Sequence, residues 1–371
     1  MRTSRTRSPF RPTIECLDDR LLPSTGPVIP NLPAQPTLNV STVPSNGDNN
    51  PYGVAFVPRH IDTGLLQPGD ILVSDFNSNS GIQGTGSTIV LITPSGQQSV
   101  FFQGPTGLGL TTALGILPGG FVLVGSVPST TDQQGNTTVP GPGALLVINS
   151  QGQQVTMFTD NTLLDGPWDL AVGNTRGNQT QVFVSNVLNG TVSRLDLTIP
   201  RDGSAPVLTS IRQIGSGYAF GTDPAALVVG PTGLAFNAQT NTLYVASTAD
   251  NAIYAIHNAS GRSGSGGKGQ VVVQNSPFLH GPLGLTLDAN GDLIAANGDA
   301  PSVNPNEQPG QQNQLVEFTP SGRFVGQFQI DPGNPGAAFG VALQESDGQV
   351  HFAAVNDNTN SLEEWTINLG R

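Results

Sequence analysis

The chain has 371 residues, of which 36% are hydrophobic and 11% are charged, and its formal net charge is −12. An acidic chain repels phosphate backbones and anionic membrane surfaces, and no segment is apolar for long enough to span a bilayer, so we expect neither a nucleic-acid partner nor membrane insertion. Cys16 is the only cysteine, which excludes a disulfide framework and a cysteine-based zinc site.

The first segment, residues 1–34, is predicted to be a basic, proline-rich leader and linker. It begins with several arginines but lacks the apolar stretch of a signal peptide. Residues 11–24, RPTIECLDDRLLPS, resemble the short leader of many exported proteins of planctomycete bacteria. The resemblance implies an exported protein, periplasmic or extracellular, whereas the composition alone indicates a basic tail.

A strand-like segment, residues 37–43, comes next and is followed by a phrase that recurs six times. The first copy reads PYGVAF, and successive copies start 51 to 64 residues apart. The copies begin at Pro51, Pro105, Pro167, Pro231, Pro282 and Ala338. Repeats of this length that hold several strands are typical of a β-propeller.

Each phrase is predicted to be the inner strand of a blade, with three further short strands after it. In the fourth repeat these are residues 242–246, 252–256 and 270–274, which are β-branched or aromatic and separated by turn residues. The sixth repeat lacks a fourth strand because the chain ends soon after its third. We therefore predict that strand 37–43 completes blade six and closes the ring, which removes exposed sheet edges.

The predicted fold class is thus all-β: a single six-bladed β-propeller over residues 35–371, built of four-stranded antiparallel blades. Its second strands end in Ser or Ala before Asp or Asn, as in the segments 73–79 and 245–253. Together with the glycine-led inner strand and a recurrent Pro-Ser-Gly turn, this pattern resembles NHL-type six-bladed propellers over residues 37–368. The resemblance implies a protein- or RNA-binding module, and related six-bladed folds include lactonases and lyases that hold one divalent metal.

The long loops between second and third strands all fall on one face of the predicted propeller, where the inner strands also begin. These loops are residues 75–87, 126–143 and 297–313. Long insertions on one face of a repeat array often mark a binding face, although a surface also tolerates them. The binding residues predicted for this face are Asp75, Asn77, Trp168, Asp169, Asn186, Asn297, Asp299, Asn356 and Asp357.

Oxygen ligands of this kind suit Ca²⁺ if several of them point into the central channel. The predicted metal ligands are Asp75, Asp169, Asn186, Asn297 and Asn356. The alternative interpretation is that one Asp or Asn in each blade caps a turn by bonding to its own backbone.

Two residues are candidates for catalysis. Asp169 replaces the glycine of the recurring phrase, and an acid on the channel wall is a possible ligand or general base. The alternative is a buried carboxylate that is hydrogen-bonded to neighbouring backbone. His280 directly precedes Gly281, which puts it at the channel mouth, but a single loop histidine is usually only solvated.

The combined pattern favours a non-catalytic, extracytoplasmic binding or scaffold module, monomeric, that presents a polar face to a protein, peptide or glycan partner. The alternative is a divalent-metal-dependent propeller enzyme of the gluconolactonase-like lactonase or lyase kind. Convergence of the ligand oxygens on one point of the channel would favour the enzyme.

Overall fold

The computed structural model describes residues 26–224, 226–299, 313–346 and 348–368, and these form a ring of six four-stranded blades. Each blade is antiparallel, and its inner strand lines the central channel. The predicted fold class is confirmed.

The blades follow one another along the chain. Blade 1 contains β2 (Asn49–Phe56), β3 (Ile71–Asn77), β4 (Thr88–Ile92) and β5 (Gln98–Gln103). Blade 2 contains β6 (Leu110–Leu117), β7 (Phe121–Ser126), β10 (Ala144–Ile148) and β11 (Gln154–Phe158). Blade 3 contains β12 (Pro167–Arg176), β13 (Gln179–Asn186), β14 (Thr191–Thr198) and β15 (Val207–Ser216).

The second half of the ring repeats this order. Blade 4 contains β18 (Pro231–Asn237), β19 (Thr242–Ser247), β20 (Ala252–His257) and β21 (Gln270–Gln274). Blade 5 contains β22 (Leu285–Leu287), β23 (Leu293–Ala296), β24 (Gln314–Phe318) and β25 (Phe324–Gln329). Blade 6 contains β26 (Ala338–Ser346), β27 (Gln349–Asn356), β28 (Ser361–Asn368) and β1 (Leu38–Ser41).

The N-terminal strand closes the ring as predicted. β1 pairs antiparallel with β28, in a register that runs from Leu38 opposite Glu364 to Ser41 opposite Ser361. Blade 6 is therefore made from both ends of the described chain, and its closure depends on one short strand.

Two small hairpins and two short helices were not predicted. The hairpins are β8 (Thr130–Thr131) with β9 (Thr137–Thr138), and β16 (Gly221–Asp223) with β17 (Leu227–Val229). The 3-10 helices are η1 (Ile29–Asn31) and η2 (Ala259–Gly261). No helix within the described ranges has the length and apolarity that a membrane span needs.

The inner strand of blade 2 starts later than its phrase predicts. The phrase at Pro105 lies ahead of β6, and Leu110 pairs with Ser126 where Pro51 pairs with Asp75 in blade 1. Gly107 and Gly109 have positive φ angles of 90° and 62°, so this stretch turns instead of extending.

Side-chain hydroxyls tie the inner parts of neighbouring blades together. The Ser74 hydroxyl of blade 1 donates to the main-chain oxygen of Thr111 in blade 2 at 2.8 Å, and Ser185 of blade 3 donates to Thr232 O in blade 4 at 2.7 Å. These bonds satisfy carbonyl groups that face the preceding blade, so the wall of the channel is continuous across these blade boundaries.

The described part of the N-terminal segment packs on blade 5. Val28 and Ile29 are buried among side chains of blades 5 and 6. Their main-chain N–H groups donate to the Glu317 carboxylate at 3.1 and 2.7 Å. Residues 1–25, which hold most of the predicted leader, lie outside the described residues.

Candidate active site

The end of the channel that bears the long loops is closed by four aromatic side chains, the aromatic plug: Tyr52, Phe76, Trp168 and Phe339. The Tyr52 ring centroid lies 4.6 Å from that of Phe76, 4.7 Å from that of Phe339 and 6.0 Å from that of Trp168. All four side chains are buried. Aromatic contacts at these distances pack tightly, so the plug separates the long-loop face from the channel.

Aliphatic side chains next to the strands of blades 2, 3 and 5 and from the β16–β17 hairpin complete the closure. The residues in this cluster are Val127, Val187, Leu227, Val228 and Leu283. The Nε1 atom of Trp168 has no hydrogen-bond partner among the described residues. Trp168, a predicted binding residue, is therefore part of the closed core and does not face the long-loop surface.

On the other side of the plug the channel holds a cavity of about 370 Å³. Six aliphatic side chains, one from each inner strand, form a buried ring around it: Val54, Leu114, Leu170, Leu234, Leu285 and Val341. Farther along the strands, the lining residues Val172, Phe236 and Leu287 are half-buried. The cavity is therefore accessible from the face opposite the long loops.

Asp169 is the one ionisable side chain among the cavity-lining residues that the structure describes. It precedes Leu170, and the corresponding residue in four other blades is a glycine. These glycines are Gly53, Gly233, Gly284 and Gly340. A Cβ at Gly340 would lie 2.0 Å from Tyr52 O, so the glycine permits close approach of the neighbouring inner strand. Blade 3 instead accommodates a carboxyl group next to blade 4.

The Asp169 carboxylate bridges blades 3 and 4 and also faces the cavity. Its Oδ1 accepts a bond from Leu170 N at 2.7 Å, and its Oδ2 accepts one from Leu234 N at 2.8 Å. Burial raises the pKa of Asp169 well above its usual range, although both N–H donors oppose the shift. The Asp169 carboxyl lines a cavity, which the interpretation as a ligand or general base requires. It also accepts main-chain hydrogen bonds, which the alternative interpretation requires.

Two hydroxyl groups were missed by the sequence analysis. Thr112 and Thr286 also line the cavity, and the Thr112 hydroxyl donates to the main-chain oxygen of Trp168. Thr112 was not predicted because the inner strand of blade 2 begins at Leu110, at the end of the recurring phrase and not at its start. The phrase beginning at Pro282 contains Thr286, but a threonine in a strand carries no functional signal.

The rim of the closed end is acidic. Asp299 is 4% exposed and accepts a hydrogen bond from the Thr248 hydroxyl at 3.0 Å. Burial, with a contribution from Asp223, raises the pKa of Asp299 to about 7, against the effect of Thr248. Asp357 accepts a bond from Asn50 Nδ2 at 2.5 Å, and burial raises its pKa as well. Two predicted binding residues thus flank the plug.

Three predicted metal ligands use their amide groups to hold the loops that precede their own blades. Asn186 Nδ2 donates to Leu163 O at 3.2 Å, and Asn297 Nδ2 donates to Phe278 O at 3.0 Å. Asn356 Nδ2 donates to an Asp331 carboxylate oxygen at 3.1 Å. Each amide bonds within its own blade region, as expected from the alternative of loop capping.

The remaining predicted residues lie away from the cavity. Asp75 and Asn77 are buried in blade 1 and have oxygens without a hydrogen-bond partner among the described residues. His280 Nε2 bonds to Pro277 O at 2.9 Å, and its main-chain N donates to Asn297 Oδ1 at 3.0 Å. The imidazole of this catalytic candidate is therefore tied to its own loop.

The cavity does not fit a divalent cation. Of the five predicted metal ligands only Asp169 lines it. Ca²⁺ takes about six to eight oxygen ligands. An acidic cluster of Asp288, Asp292 and Glu317 lies elsewhere, in blade 5, and the Glu317 carboxylate holds the N-terminal segment.

No protein-family model and no curated protein sequence matches this chain. The fold is similar to a gluconolactonase from Xanthomonas campestris, with a TM-score of 0.52, 14% identity, and coverage of 93% of this chain and 98% of that one. A luciferin-regenerating enzyme has a TM-score of 0.50 and 11% identity, over 89% of this chain and 95% of that one. The calcium-binding protein regucalcin from Agrobacterium tumefaciens has a TM-score of 0.50 and 13% identity, over 90% and 95%.

At this level of identity the likeness establishes the six-bladed fold. It also corrects one expectation. A non-catalytic binding or scaffold module was predicted, but two of the three neighbours are enzymes, and they favour the alternative enzyme reading instead.

Proposed function

We propose that this protein is an enzyme that hydrolyses a small cyclic ester, a lactone, in the channel cavity, with Asp169 as the general base. The observation that carries the proposal is the position of Asp169: a buried carboxyl with a raised pKa, in a cavity of about 370 Å³ whose other described lining residues carry no ionisable group. Cavities with one perturbed ionisable group are the usual sites of such chemistry.

The cavity favours a neutral substrate and an ionised product that leaves. The ring of aliphatic side chains accommodates an uncharged lactone, whereas a carboxylate is poorly solvated there. Hydrolysis converts the uncharged lactone into a hydroxy acid that ionises to a carboxylate, so the product is less compatible with the cavity than the substrate. The product leaves through the open end of the cavity, where the lining residues are half-buried.

Asp169 moves one proton in this reaction. The carboxylate takes a proton from a water molecule, whose oxygen attacks the carbonyl carbon of the lactone. The ring C–O bond then breaks, and the proton passes from Asp169 to the departing alkoxide oxygen, which leaves a hydroxy acid. A raised pKa makes the carboxylate a stronger base than an ordinary aspartate. No step involves a metal ion, because the cavity lacks the ligands for one.

The test is hydrolysis of a panel of neutral lactones, followed by proton release. Asp169→Asn should lower kcat by about 10²- to 10⁴-fold. Asp70→Asn is the matched control, because Asp70 is a buried aspartate outside the cavity that bonds to Gln67 N at 3.0 Å. A wild-type protein that hydrolyses no lactone, or an Asp169→Asn variant with full kcat, would contradict the proposal.

The activity should also depend on pH in a defined direction. The base form of Asp169 is populated only above its raised pKa, so kcat should rise with pH up to that value. Wild-type activity that is independent of pH above the usual range of an aspartate would assign the proton transfer to another group.

Three further points stay predictions: the NHL-type character of the repeats, export of the chain and its monomeric state. The recurring phrase and the leader-like segment 11–24 support the first two. Fractionation of the native cells tests export, and light scattering of the purified chain tests the monomeric state.

A further inference from the structure

One corner of the ring concentrates buried oxygen atoms that lack a hydrogen-bond partner. Eight buried side-chain N and O atoms of the described residues have no partner, and three of them belong to Asp75 and Asn77. All three are oxygens, and they include both oxygens of the Asp75 carboxylate. A buried acceptor without a donor is costly, so these oxygens need a donor or a cation that the described side chains do not supply.

The strands bring these oxygens to one place. Asp75 and Asn77 are two residues apart on β3, so their side chains point to the same face, on which Val73 packs in the cluster that includes blade 6. Asn77 pairs with Asn49 across the β2–β3 ladder, and Asp48 directly precedes Asn49. The corner therefore lies where the closing segment of the ring enters blade 1.

Asp48 brings a second buried carboxylate to this corner. It is 4% exposed, and its Oδ2 accepts bonds from Ser87 N and from the hydroxyls of Ser87 and Thr88. Burial and the negative charge of Asp48 raise the pKa of Asp75 well above its usual range. No lysine or arginine of the described ranges forms an ion pair with either carboxylate.

The nearby Thr42 hydroxyl only partly offsets the effect of burial on the pKa of Asp75. The Thr42 hydroxyl lowers the pKa of Asp75 in part, but it donates to the main-chain oxygen of Asn360 at 3.1 Å. Asn360 lies in the turn between β27 and β28 of blade 6. The closing segment is thus tied to blade 6 on one side, while the acidic side chains face it from blade 1.

The equivalent positions in blades 3 and 6 carry an amide. Asn186 and Asn356 pair with the first residues of their inner strands as Asp75 pairs with Pro51. Each uses Nδ2 as a donor to the loop ahead of its blade. An ionised Asp75 has no donor to offer, so blade 1 needs another means of holding this loop.

We propose that Asp48, Asp75 and Asn77 bind one Ca²⁺ ion that locks the seam between blades 6 and 1. Carboxylate and amide oxygens are the ligands that Ca²⁺ prefers, and its irregular shell of about six to eight oxygens tolerates a corner of this kind better than the octahedral shell of Mg²⁺. The ion is structural, and it is separate from the reaction at Asp169.

Thermal unfolding of the full chain, freed of metal with EGTA, tests the site. Added Ca²⁺ should raise the melting temperature by about 4 °C at a hundredfold excess over Kd, since an ion that binds only the folded state stabilises it. Mg²⁺ at equal concentration should raise it less. Calorimetric titration should give one Ca²⁺ per chain.

Asp75→Asn distinguishes a bound Ca²⁺ ion from an amide donor as the means of holding the loop ahead of blade 1. It removes a charge, keeps the shape and supplies the Nδ2 donor found at Asn186 and Asn356, so the variant should fold but lose the Ca²⁺ shift. Asp292→Asn is the control, because it removes one carboxylate from the acidic cluster of blade 5 and should keep the full shift. A wild-type chain without a Ca²⁺ shift, or a shift that survives in Asp75→Asn, overturns the proposal.

Discussion

The two ends of the channel differ in a way that the loop lengths do not indicate. The end with the long loops has an acidic rim but is closed by the aromatic plug. The other end, where the lining residues Val172, Phe236 and Leu287 are half-buried, opens into the cavity that contains Asp169. Access to a propeller channel is therefore decided by the size of the side chains on the inner strands, and long loops alone do not locate the site.

The difference arises within a few residues of each inner strand. In blade 3, Trp168 belongs to the plug, Asp169 to the cavity wall and Leu170 to the aliphatic ring. Blade 6 repeats the sequence as Phe339, Gly340 and Val341. Because Tyr52, Trp168 and Phe339 occupy the first of these three positions in blades 1, 3 and 6, bulky side chains close one end, whereas the aliphatic side chains two residues later surround a cavity at the other.

The largest effect on stability is expected from opening the closed end. Trp168→Ala removes a buried indole from the plug and should lower the free energy of unfolding by about 3–5 kcal/mol, because the surrounding blades cannot collapse into the space. Urea unfolding measures the change. Phe220→Ala is the control, since Phe220 is 53% exposed and its loss should change stability by about 0.5 kcal/mol or less.

If Trp168→Ala were as stable as the control variant, the plug would not be a packed core. The difference between the two ends would then need another cause, such as the loops above the plug.

The acidic rim should make stability depend on pH. Burial raises the pKa of Asp299 to about 7, whereas an unfolded aspartate titrates near its ordinary value of about 3.9. The folded state therefore favours the neutral form, and this contribution is complete below the unfolded pKa and is lost as the pH rises through about 7. Its upper limit is about 4 kcal/mol.

Unfolding by urea between pH 4 and pH 8 measures this contribution. Asp299→Asn should flatten the decline in stability, while the exposed Asp202→Asn should leave it unchanged in this window, because the pKa of Asp202 is lowered by the Ser204 hydroxyl and main-chain N–H. An Asp299→Asn variant with the wild-type slope would mean that the rim carboxyl is ionised in the folded protein.

The fold could be predicted from the sequence because short local patterns determine it. Inner strands, turn residues and the missing sixth outer strand each follow from short segments, and together they predicted ring closure by residues 37–43. Asp169 was also found, since a carboxylate in place of a glycine breaks a repeat. The fold and one cavity residue were thus predictable from short-range information.

The open face and the fate of the polar residues were not predictable in this way. The plug combines side chains from three inner strands and β3, and the β16–β17 hairpin packs against it, so these parts meet only in the folded ring. Asn186 and Asn356 looked like ligands because strand ends carry no information about which loop an amide reaches. Such contacts depend on long-range packing.

The smallest effect concerns the boundary between the two ends, where Gly340 separates Phe339 of the plug from Val341 of the aliphatic ring. A Cβ at Gly340 would lie 2.0 Å from the Tyr52 carbonyl oxygen, so Gly340→Ala must push blade 6 away from blade 1. We expect a loss of about 1–3 kcal/mol in urea unfolding. Gly141→Ala, where no atom lies within 4 Å of the new Cβ, should be neutral or slightly stabilising. Equal stabilities for the two variants would show that blades 6 and 1 can separate without cost, and a carboxyl at Gly340 would then be as acceptable as the one at Asp169.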